Sequence, residues 1–173
     1  MFAARRGTWL GLAALALVAG VAWSWWSRSS SETPRAASTL LAIALPDVNG
    51  VSQPLAQWKG KLMIVNFWAT WCAPCREEMP LFVRVQREHA DRVQFVGIAV
   101  DDAAKVKRFG EELGVNYPLL VGGYGAMELS KVLGNRVAAL PFTVVLDAGG
   151  RLIFTQLGPL NDETLARIVG NSL

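Results

Sequence analysis

The sequence predicts an α/β domain with a largely parallel sheet, preceded by an N-terminal membrane segment. Two continuous apolar runs, Leu62 to Trp68 and Val93 to Val100, are typical of buried parallel strands, and a segment with helical spacing separates them. Two later apolar runs flank a turn that contains two glycines, as in an antiparallel hairpin. With 173 residues and 52% hydrophobic content, the chain can bury one core, so one globular domain is expected.

Residues 1–27 have the pattern of a signal-anchor. Arg5 and Arg6 precede an apolar stretch from Trp9 to Trp26 that only Ser24 interrupts. As a helix this stretch would reach roughly 27 Å, which nearly spans the hydrocarbon core of a bilayer. The arginine pair predicts a cytoplasmic N-terminus and an exported domain. A cleaved signal peptide is the alternative because residues 20–22 form a small-x-small site, but the bulky aromatic residues that follow favour the anchor.

Residues 28–39 are expected to form a polar linker, since they are rich in Ser, Arg and Ala and show no apolar periodicity. The domain would then comprise residues 40–173. Four of the 17 basic residues and one of the 14 acidic residues precede Ser38, which leaves thirteen of each in the domain. A neutral domain gives no support for nucleic acid as a partner.

The elements expected in the first half of the domain begin with a hairpin and continue as a β-α-β unit. The hairpin pairs Leu41 to Leu45 with Val51 to Leu55 around a turn at residues 47–50. The β-α-β unit consists of the strand Leu62 to Trp68, a helix from Pro74 to His89 that Pro80 is expected to kink, and the strand Val93 to Val100.

The second half is expected to extend the parallel sheet and to end with a hairpin and a helix. The predicted elements are a helix over Ala103 to Leu113, a strand over Tyr117 to Val121, a helix over Ala126 to Leu133, strands over Phe142 to Leu146 and Leu152 to Leu157, and a helix over Asn161 to Val169.

The only two cysteines, Cys72 and Cys75, lie three residues apart between the first central strand and the helix that follows it. The N–H groups and dipole of a helix N-terminus favour a thiolate, so Cys72 is the expected nucleophile. Residues i and i+3 share a helix face and can form a disulfide of normal geometry. The pattern therefore predicts a redox-active dithiol.

Two structural interpretations of the cysteine pair are weaker. A disulfide across so short a loop restricts the unfolded chain very little. A structural zinc site requires four ligands, and the chain offers only His89 besides the two cysteines. His89 is expected at the surface near the end of its helix. We therefore expect no metal and no cofactor.

Two other polar segments are expected to have structural rather than catalytic roles. Asp101 and Asp102 could be paired carboxylates, but their position before a helix favours N-capping. Residues 122–125, with three glycines and one tyrosine, lack the lysine and hydroxyl residue of a phosphate-binding loop and are expected to form a turn.

The segments NFWATWCAPCREEMP, from Asn66 to Pro80, and ALPFT, from Ala139 to Thr143, resemble the TlpA/ResA branch of the thioredoxins, which includes the cytochrome c maturation thioredoxins. The resemblance extends over Leu41 to Leu173. It implies a thioredoxin-like α/β fold with an N-terminal β-hairpin and a central insertion. It also implies a single-pass protein of the bacterial inner membrane with its C-terminal domain in the periplasm.

The resemblance assigns a substrate-binding role to Leu140 and Pro141, which directly precede the predicted strand Phe142 to Leu146. Pro141 would be a cis proline facing the dithiol, and the backbone of Leu140 would pair with a substrate strand beside Cys72. The alternative for Pro141 is a trans proline at the start of a strand. Trp71 is expected on an apolar rim around the sulfurs, whereas Trp68 is expected in the core.

Glu78 matches an active-site glutamate of ResA-like proteins, and it follows Cys75 by three residues on the same helix face. Partial burial would raise its pKa and let it exchange protons with the dithiol. The alternative is a solvated glutamate in the first turns of a helix, which describes Glu77. Minimal thioredoxins carry a buried aspartate where this chain has Asn66, so that proton acceptor is missing.

The expected activity is thiol:disulfide exchange through Cys72 and Cys75, most consistent with reduction of extracytoplasmic protein disulfides. The resemblance suggests apocytochrome c or a copper-centre subunit as substrate and a DsbD- or CcdA-like membrane protein as electron donor. A disulfide oxidant remains open, because an Ala-Pro pair between the cysteines does not fix the potential. A copper-binding chaperone is the other alternative, and it would need a further soft ligand.

Overall fold

The computed structural model describes Gly20 and residues 35–171, and the fold lies within the unit Ala36–Leu173. In chain order the elements are α1 (described residues 35–42), β1 (Ala44–Pro46), β2 (Ser52–Pro54), a short 3-10 helix (Leu55–Trp58), β3 (Leu62–Trp68), α2 (Ala73–Glu88), β4 (Val93–Ala99), α3 (Ala103–Leu113), β5 (Leu119–Val121), α4 (Gly123–Val132), β6 (Phe142–Leu146), β7 (Leu152–Leu157) and α5 (Asp162–Asn171).

Five strands form the main sheet in the order β5-β4-β3-β6-β7. Strand β4 pairs in parallel with β3 and with β5, whereas β6 pairs antiparallel with β3 and with β7. All seven residues of β3 are buried, so both faces of the central strand are covered. This is the thioredoxin-like α/β fold that the sequence predicts, with β1 and β2 as a separate antiparallel hairpin.

The pairing register brings three chain segments to one edge of the sheet. Trp68 lies opposite Ala99, and Phe67 lies opposite Phe142. The C-terminal ends of β3 and β4 and the N-terminal end of antiparallel β6 therefore meet at this edge. The segments that continue from these ends carry the cysteines, the aspartate pair and Pro141, which places all of them at the same edge.

The apolar strands and the most strongly patterned helix have the predicted bounds. Sequence and structure agree to the residue for β3, α3, β6 and β7, and Pro80 lies inside α2 as expected. The remaining bounds differ by a few residues. Asp102 is the N-cap residue of α3, as predicted, and its side chain accepts a hydrogen bond from the backbone N–H of Lys105 at 3.0 Å.

The N-terminal part of the domain differs from the prediction. Residues 35–42 are helical, so the predicted strand from Leu41 and the predicted linker to residue 39 both overlap a helix. Ala36, Ala37 and Leu40 of this helix are buried in the core. The helix was missed because its apolar face is built mostly from alanine, which gives little periodic signal. The hairpin itself is present but shorter than expected, and the Asp47 side chain accepts hydrogen bonds from the N–H groups of Asn49 and Val51.

The expected turn at residues 122–125 is also wrong. Helix α4 begins at Gly123, and Gly122 accepts the first helical hydrogen bond from Ala126. A Cβ atom on Gly122 would lie 2.6 Å from the Cβ atom of Ala126 and 3.0 Å from Cγ2 of Ile98. The first turn of α4, with Ala126, and the neighbouring strand β4 therefore leave no room for a side chain at Gly122, and the helix forms despite the low helix propensity of the segment.

The predicted signal-anchor, residues 1–27, falls almost entirely outside the part of the chain that the structure describes. Among Gly20 and residues 35–171, no helix combines the length and apolar character needed to cross a membrane.

Candidate active site

Cys72 and Cys75 form a disulfide at the N-terminus of α2, with their Cα atoms 5.3 Å apart. Cys72 is the N-cap residue, and its sulfur accepts a hydrogen bond from the backbone N–H of Cys75 at 3.3 Å. Cys75 is fully buried, whereas Cys72 retains 6% of its surface. Of the two cysteines, only Cys72 can therefore be reached from solvent. The backbone N–H of Cys75, at the helix N-terminus, already points at the Cys72 sulfur.

The loop between β3 and α2 is fixed at both ends. The backbone N–H of Cys72 donates to the carbonyl of Ala69 at 3.2 Å. The hydroxyl of Thr70 donates to the carboxylate of Asp101, which follows β4. Because β3 and β4 are paired neighbours, this bond ties the approach to Cys72 to the sheet edge.

Glu78 is buried in α2, with 4% of its surface exposed. One carboxylate oxygen accepts a hydrogen bond from the Asn66 side chain at 2.9 Å, and the other accepts from the backbone N–H of Leu160 at 2.7 Å. Burial raises the pKa of Glu78 to about 7, although both hydrogen bonds favour the charged form and act in the opposite direction. A carboxyl group with this pKa can accept and return a proton at neutral pH.

Asn66 connects Glu78 to the neighbouring strand. Its amide group also donates to the hydroxyl of Thr143 at 3.0 Å, and the two residues lie opposite each other in the β3–β6 register. Both residues are buried polar positions in otherwise apolar strands. The sequence indicates that Asn66 is not a proton acceptor, and the structure adds that it positions the glutamate.

The peptide bond between Leu140 and Pro141 is cis. The Pro141 carbonyl accepts a hydrogen bond from the N–H of Gly158 at 2.9 Å, and β6 begins at the next residue. The buried Asn135 side chain holds the preceding loop, because it donates to the Ala139 carbonyl at 2.9 Å and accepts from the Ala139 N–H at 3.2 Å.

Cys75 is fully buried, and Glu78, one helical turn later, has a raised pKa. This arrangement suits thiol–disulfide exchange, and the comparison with known proteins agrees. The Redoxin family model matches residues 33–170, most of the chain. The chain belongs to the Redoxin family. This Redoxin protein is a TlpA/ResA-like thioredoxin and a thiol-disulfide oxidoreductase, in agreement with its relatives and with the Cys72–Cys75 pair.

Three similar proteins illustrate the relationship. The thioredoxin-like protein YneN of Bacillus subtilis is 30% identical over 126 residues, which cover 70% of this chain and 71% of YneN. The thiol-disulfide oxidoreductase ResA of Halalkalibacterium halodurans is 24% identical over 92% of this chain and 91% of its own. The crystal structure of a thiol:disulfide interchange protein of Chlorobium tepidum TLS, 34% identical, matches with a TM-score of 0.68 over 75% of this chain and 92% of that one.

The two tryptophans near the cysteines of this Redoxin protein differ in position. Trp68 is fully buried, as predicted, and its ring packs against Phe109 with centroids 5.3 Å apart. Trp71 is 68% exposed, and it lines a surface cleft beside the disulfide loop. His89 ends α2 at a half-buried position. Within the described residues, no group of three or more His, Cys, Asp and Glu side chains is arranged to hold a metal ion.

Sequence reasoning missed several residues that shape the site. Thr70, Asn135, Thr143 and Leu160 make the hydrogen bonds described above. The polar residue in the apolar run FTVVL is a signal that could have identified Thr143. Nothing local marks Leu160, because it contributes only its backbone N–H.

Proposed function

We propose that this protein reduces disulfides of proteins outside the cytoplasm, with Cys72 as the attacking residue and Cys75 as the resolving residue. The observation that carries the proposal is the difference in burial between the two cysteines at the start of α2. Its relatives support the activity, since two of them are named thiol-disulfide oxidoreductase ResA and thiol:disulfide interchange protein HelX. The Arg5–Arg6 pair and the apolar stretch that follows support export.

In the proposed reaction, the Cys72 thiolate attacks one sulfur of the substrate disulfide. The substrate S–S bond breaks, and the first substrate thiolate leaves and takes a proton from water. Cys75 then loses its proton, and its thiolate attacks the Cys72 sulfur and releases the second substrate thiolate. Two electrons pass to the substrate, and the protein is left with the Cys72–Cys75 disulfide.

Glu78 is the proposed acceptor of the Cys75 proton. It lies on the same helix face one turn after Cys75, and it is buried. A pKa of about 7 leaves a substantial ionised fraction at neutral pH. Because Cys75 is fully buried, bulk water is a poor acceptor for its proton, and an internal base fulfils that need.

The substrate strand is proposed to lie along Leu140 and Pro141, with Trp71 on the rim around the sulfurs. Pro141 precedes β6 at the sheet edge from which the cysteine loop also emerges. A proline has no N–H group, so an incoming strand would pair with the backbone of Leu140 instead.

The finer proposal about partners rests on the resemblance to TlpA/ResA thioredoxins. Substrates would be apocytochrome c or a copper-centre subunit, and a DsbD- or CcdA-like membrane protein would restore the dithiol. The N-terminal segment would anchor the protein in the bacterial inner membrane with the domain in the periplasm. An exported location also suits a protein that acts on disulfides, which persist there.

The direction of the reaction is tested by the reduction potential. The full chain is equilibrated with glutathione or dithiothreitol buffers, and the ratio of dithiol to disulfide is read after acid quenching and alkylation. A reductant should give a potential well below about −200 mV, whereas a value near −120 mV would make the protein an oxidant and overturn the proposal.

The assignment of the two cysteines is tested by trapping. Cys75→Ser should accumulate a mixed disulfide between Cys72 and a disulfide-containing protein, because the resolving thiol is absent. Cys72→Ser is the matched variant and should trap nothing. Equal trapping by both variants would contradict the assignment.

A further inference from the structure

Beside the disulfide loop lies a surface cleft of about 540 Å³, and of its lining residues only Trp71 has a part in the proposed exchange reaction. Its walls include two aromatic side chains, Trp71 and Tyr124, which are 68% and 92% exposed. Trp71 directly precedes Cys72, so one wall of the cleft belongs to the loop that leads into the reactive residue. Tyr124 comes from the first turn of α4, which lies between β5 and β6 in the chain.

Two exposed aromatic rings in one cleft are unusual on a protein surface that contacts only water, since burying an aromatic ring is strongly favourable. The buried residue Val100 also lines the cleft. Gly123 lines the cleft without a side chain, and apart from its chain neighbours and the backbone of its own helix no atom lies within 4 Å of where its Cβ would be.

The charged residues of the cleft are Asp101, Asp102 and Lys105. The Lys105 ammonium lies 2.7 Å from a carboxylate oxygen of Asp102 and 3.4 Å from one of Asp101. Two carboxylates against one ammonium leave one excess negative charge. Aromatic faces and a net negative charge together favour a cation with an apolar stem, which is the chemistry of a lysine or arginine side chain.

The cleft is also held in place relative to the disulfide. The Thr70 hydroxyl bonds to Asp101, so the loop that carries Trp71 is tied to the start of α3. The Asp102 side chain caps α3 through the backbone N–H of Lys105. The wall formed by the disulfide loop and the start of α3 is fixed in this way and loses little conformational freedom when a ligand binds.

We propose that the Trp71–Tyr124 cleft binds a lysine or arginine side chain of the substrate protein, close in sequence to the cysteine that Cys72 attacks. Tyr124 is then a specificity-determining residue. This inference rests on the proposed reduction of protein disulfides and adds the sequence preference around the attacked bond.

The test uses the reduced full chain and synthetic peptides that each contain one disulfide. Each peptide carries Arg, Leu or Glu at one test position. In different peptides this position lies one, two or three residues before or after the first cysteine. In at least one position the Arg peptide should be reduced about three to ten times faster than the Leu peptide, as judged by kcat/KM, and the Glu peptide should be slowest. Added salt should reduce the difference between Arg and Glu.

Tyr124→Ala should lower the Arg preference to within about twofold, whereas Tyr124→Phe should retain most of it because the ring face remains. Val132→Ala changes another exposed residue at the opposite end of α4 and should have no effect. Bis(2-hydroxyethyl) disulfide, which has no side chain for the cleft, should be reduced at the same rate by the wild type and Tyr124→Ala.

Two outcomes would overturn the inference while leaving the proposed function intact. One is reduction of Leu peptides as fast as Arg peptides at every position, and the other is an Arg preference that survives Tyr124→Ala. If neither the peptides nor the small disulfide is reduced by the wild type, the proposed function and this inference fail together.

Discussion

At the scale of single residues, the proposed proton transfer depends on the Glu78 carboxyl group, which is buried one helical turn after Cys75. Burial opposes the charged form of Glu78, and the N–H groups of Leu160 and Asn66 favour it. The burial effect is larger, because the pKa is raised to about 7 rather than lowered. Removal of either donor should therefore raise this pKa further.

Replacement of Glu78 tests its part in the exchange. Glu78→Gln should slow the attack of Cys75 on a preformed mixed disulfide by about tenfold or more at pH 7 to 8, because the buried thiol loses its proton acceptor. In the wild type this rate should rise with pH through about 7, as Glu78 becomes ionised, and the variant should lack that inflection. The release of a fluorescent thiol from the mixed disulfide measures the rate.

The adjacent exposed residue Glu77 provides the matched control for this experiment. Glu77→Gln changes the net charge of the helix by the same amount, but it leaves the buried carboxyl group in place. Its pH profile should match that of the wild type. Identical profiles for Glu78→Gln and the wild type would rule out proton transfer by Glu78.

The raised pKa also predicts how stability depends on pH. Between about pH 4.5 and 7, Glu78 is protonated in the folded protein and ionised in the unfolded chain, so the free energy of unfolding should fall as pH rises. The contribution is fully present below about 4.5, and roughly 3 kcal/mol is lost by pH 7. Urea unfolding of the oxidised protein from pH 4 to 8 should show this slope, and Glu78→Gln should not. A pH-independent difference between the two proteins would contradict the raised pKa.

The candidate site residues on α2 could be picked out from the sequence, but most of the residues that contact them could not. The spacing of Cys72, Cys75 and Glu78 on one helix is local information. Leu160 lies 82 residues from Glu78, and Thr143 lies 77 residues from Asn66. Contacts at such separations depend on strand register and loop paths, which a single sequence does not specify.

At the scale of elements, prediction succeeded where apolar residues are continuous or strongly periodic. Strands β3 and β6 are buried along their whole length, and their bounds follow directly from the apolar runs. Helix α1 was not predicted and the N-terminal end of α4 was placed too late, because small residues, alanine in one and glycine in the other, carry weak periodic signals. At the start of α4, Gly122 lies close to Ala126 of the same helix and to Ile98 of β4, and the contact with β4 cannot be read from local sequence.

The loop between β3 and α2 provides a prediction at this scale. Thr70→Val keeps the side-chain shape but removes the hydrogen bond to the Asp101 carboxylate. The free energy of unfolding should fall by about 1–2 kcal/mol, because a bond to a charged acceptor is lost. Urea unfolding monitored by circular dichroism measures the change.

Thr155, which is exposed on strand β7, provides the control for the loop variant. Thr155→Val should change the free energy of unfolding by less than about 0.5 kcal/mol, as expected at a surface position. An effect of Thr70→Val no larger than that of Thr155→Val would show that the bond to Asp101 does not stabilise the loop.

At the scale of the whole molecule, the fold and the redox chemistry are linked through one thermodynamic cycle. The cycle joins folded and unfolded protein, each with the Cys72–Cys75 pair oxidised or reduced. If folding makes the disulfide harder to reduce than it is in the unfolded chain, the disulfide must stabilise the folded state by the same free energy. A strong oxidant shows the opposite sign, because its reduced form is the more stable fold.

A reductant should therefore unfold at a higher urea concentration when oxidised than when reduced. The reduction potential of the cysteine pair can be lower in the folded protein than in the unfolded chain. Each 30 mV of this difference corresponds to about 1.4 kcal/mol of additional stability for the oxidised form. Parallel urea titrations with and without excess dithiothreitol measure the difference, and the double variant Cys72→Ser/Cys75→Ser should show none. Greater stability of the reduced form would contradict the proposed direction of electron flow, even if Cys72 and Cys75 exchange disulfides rapidly.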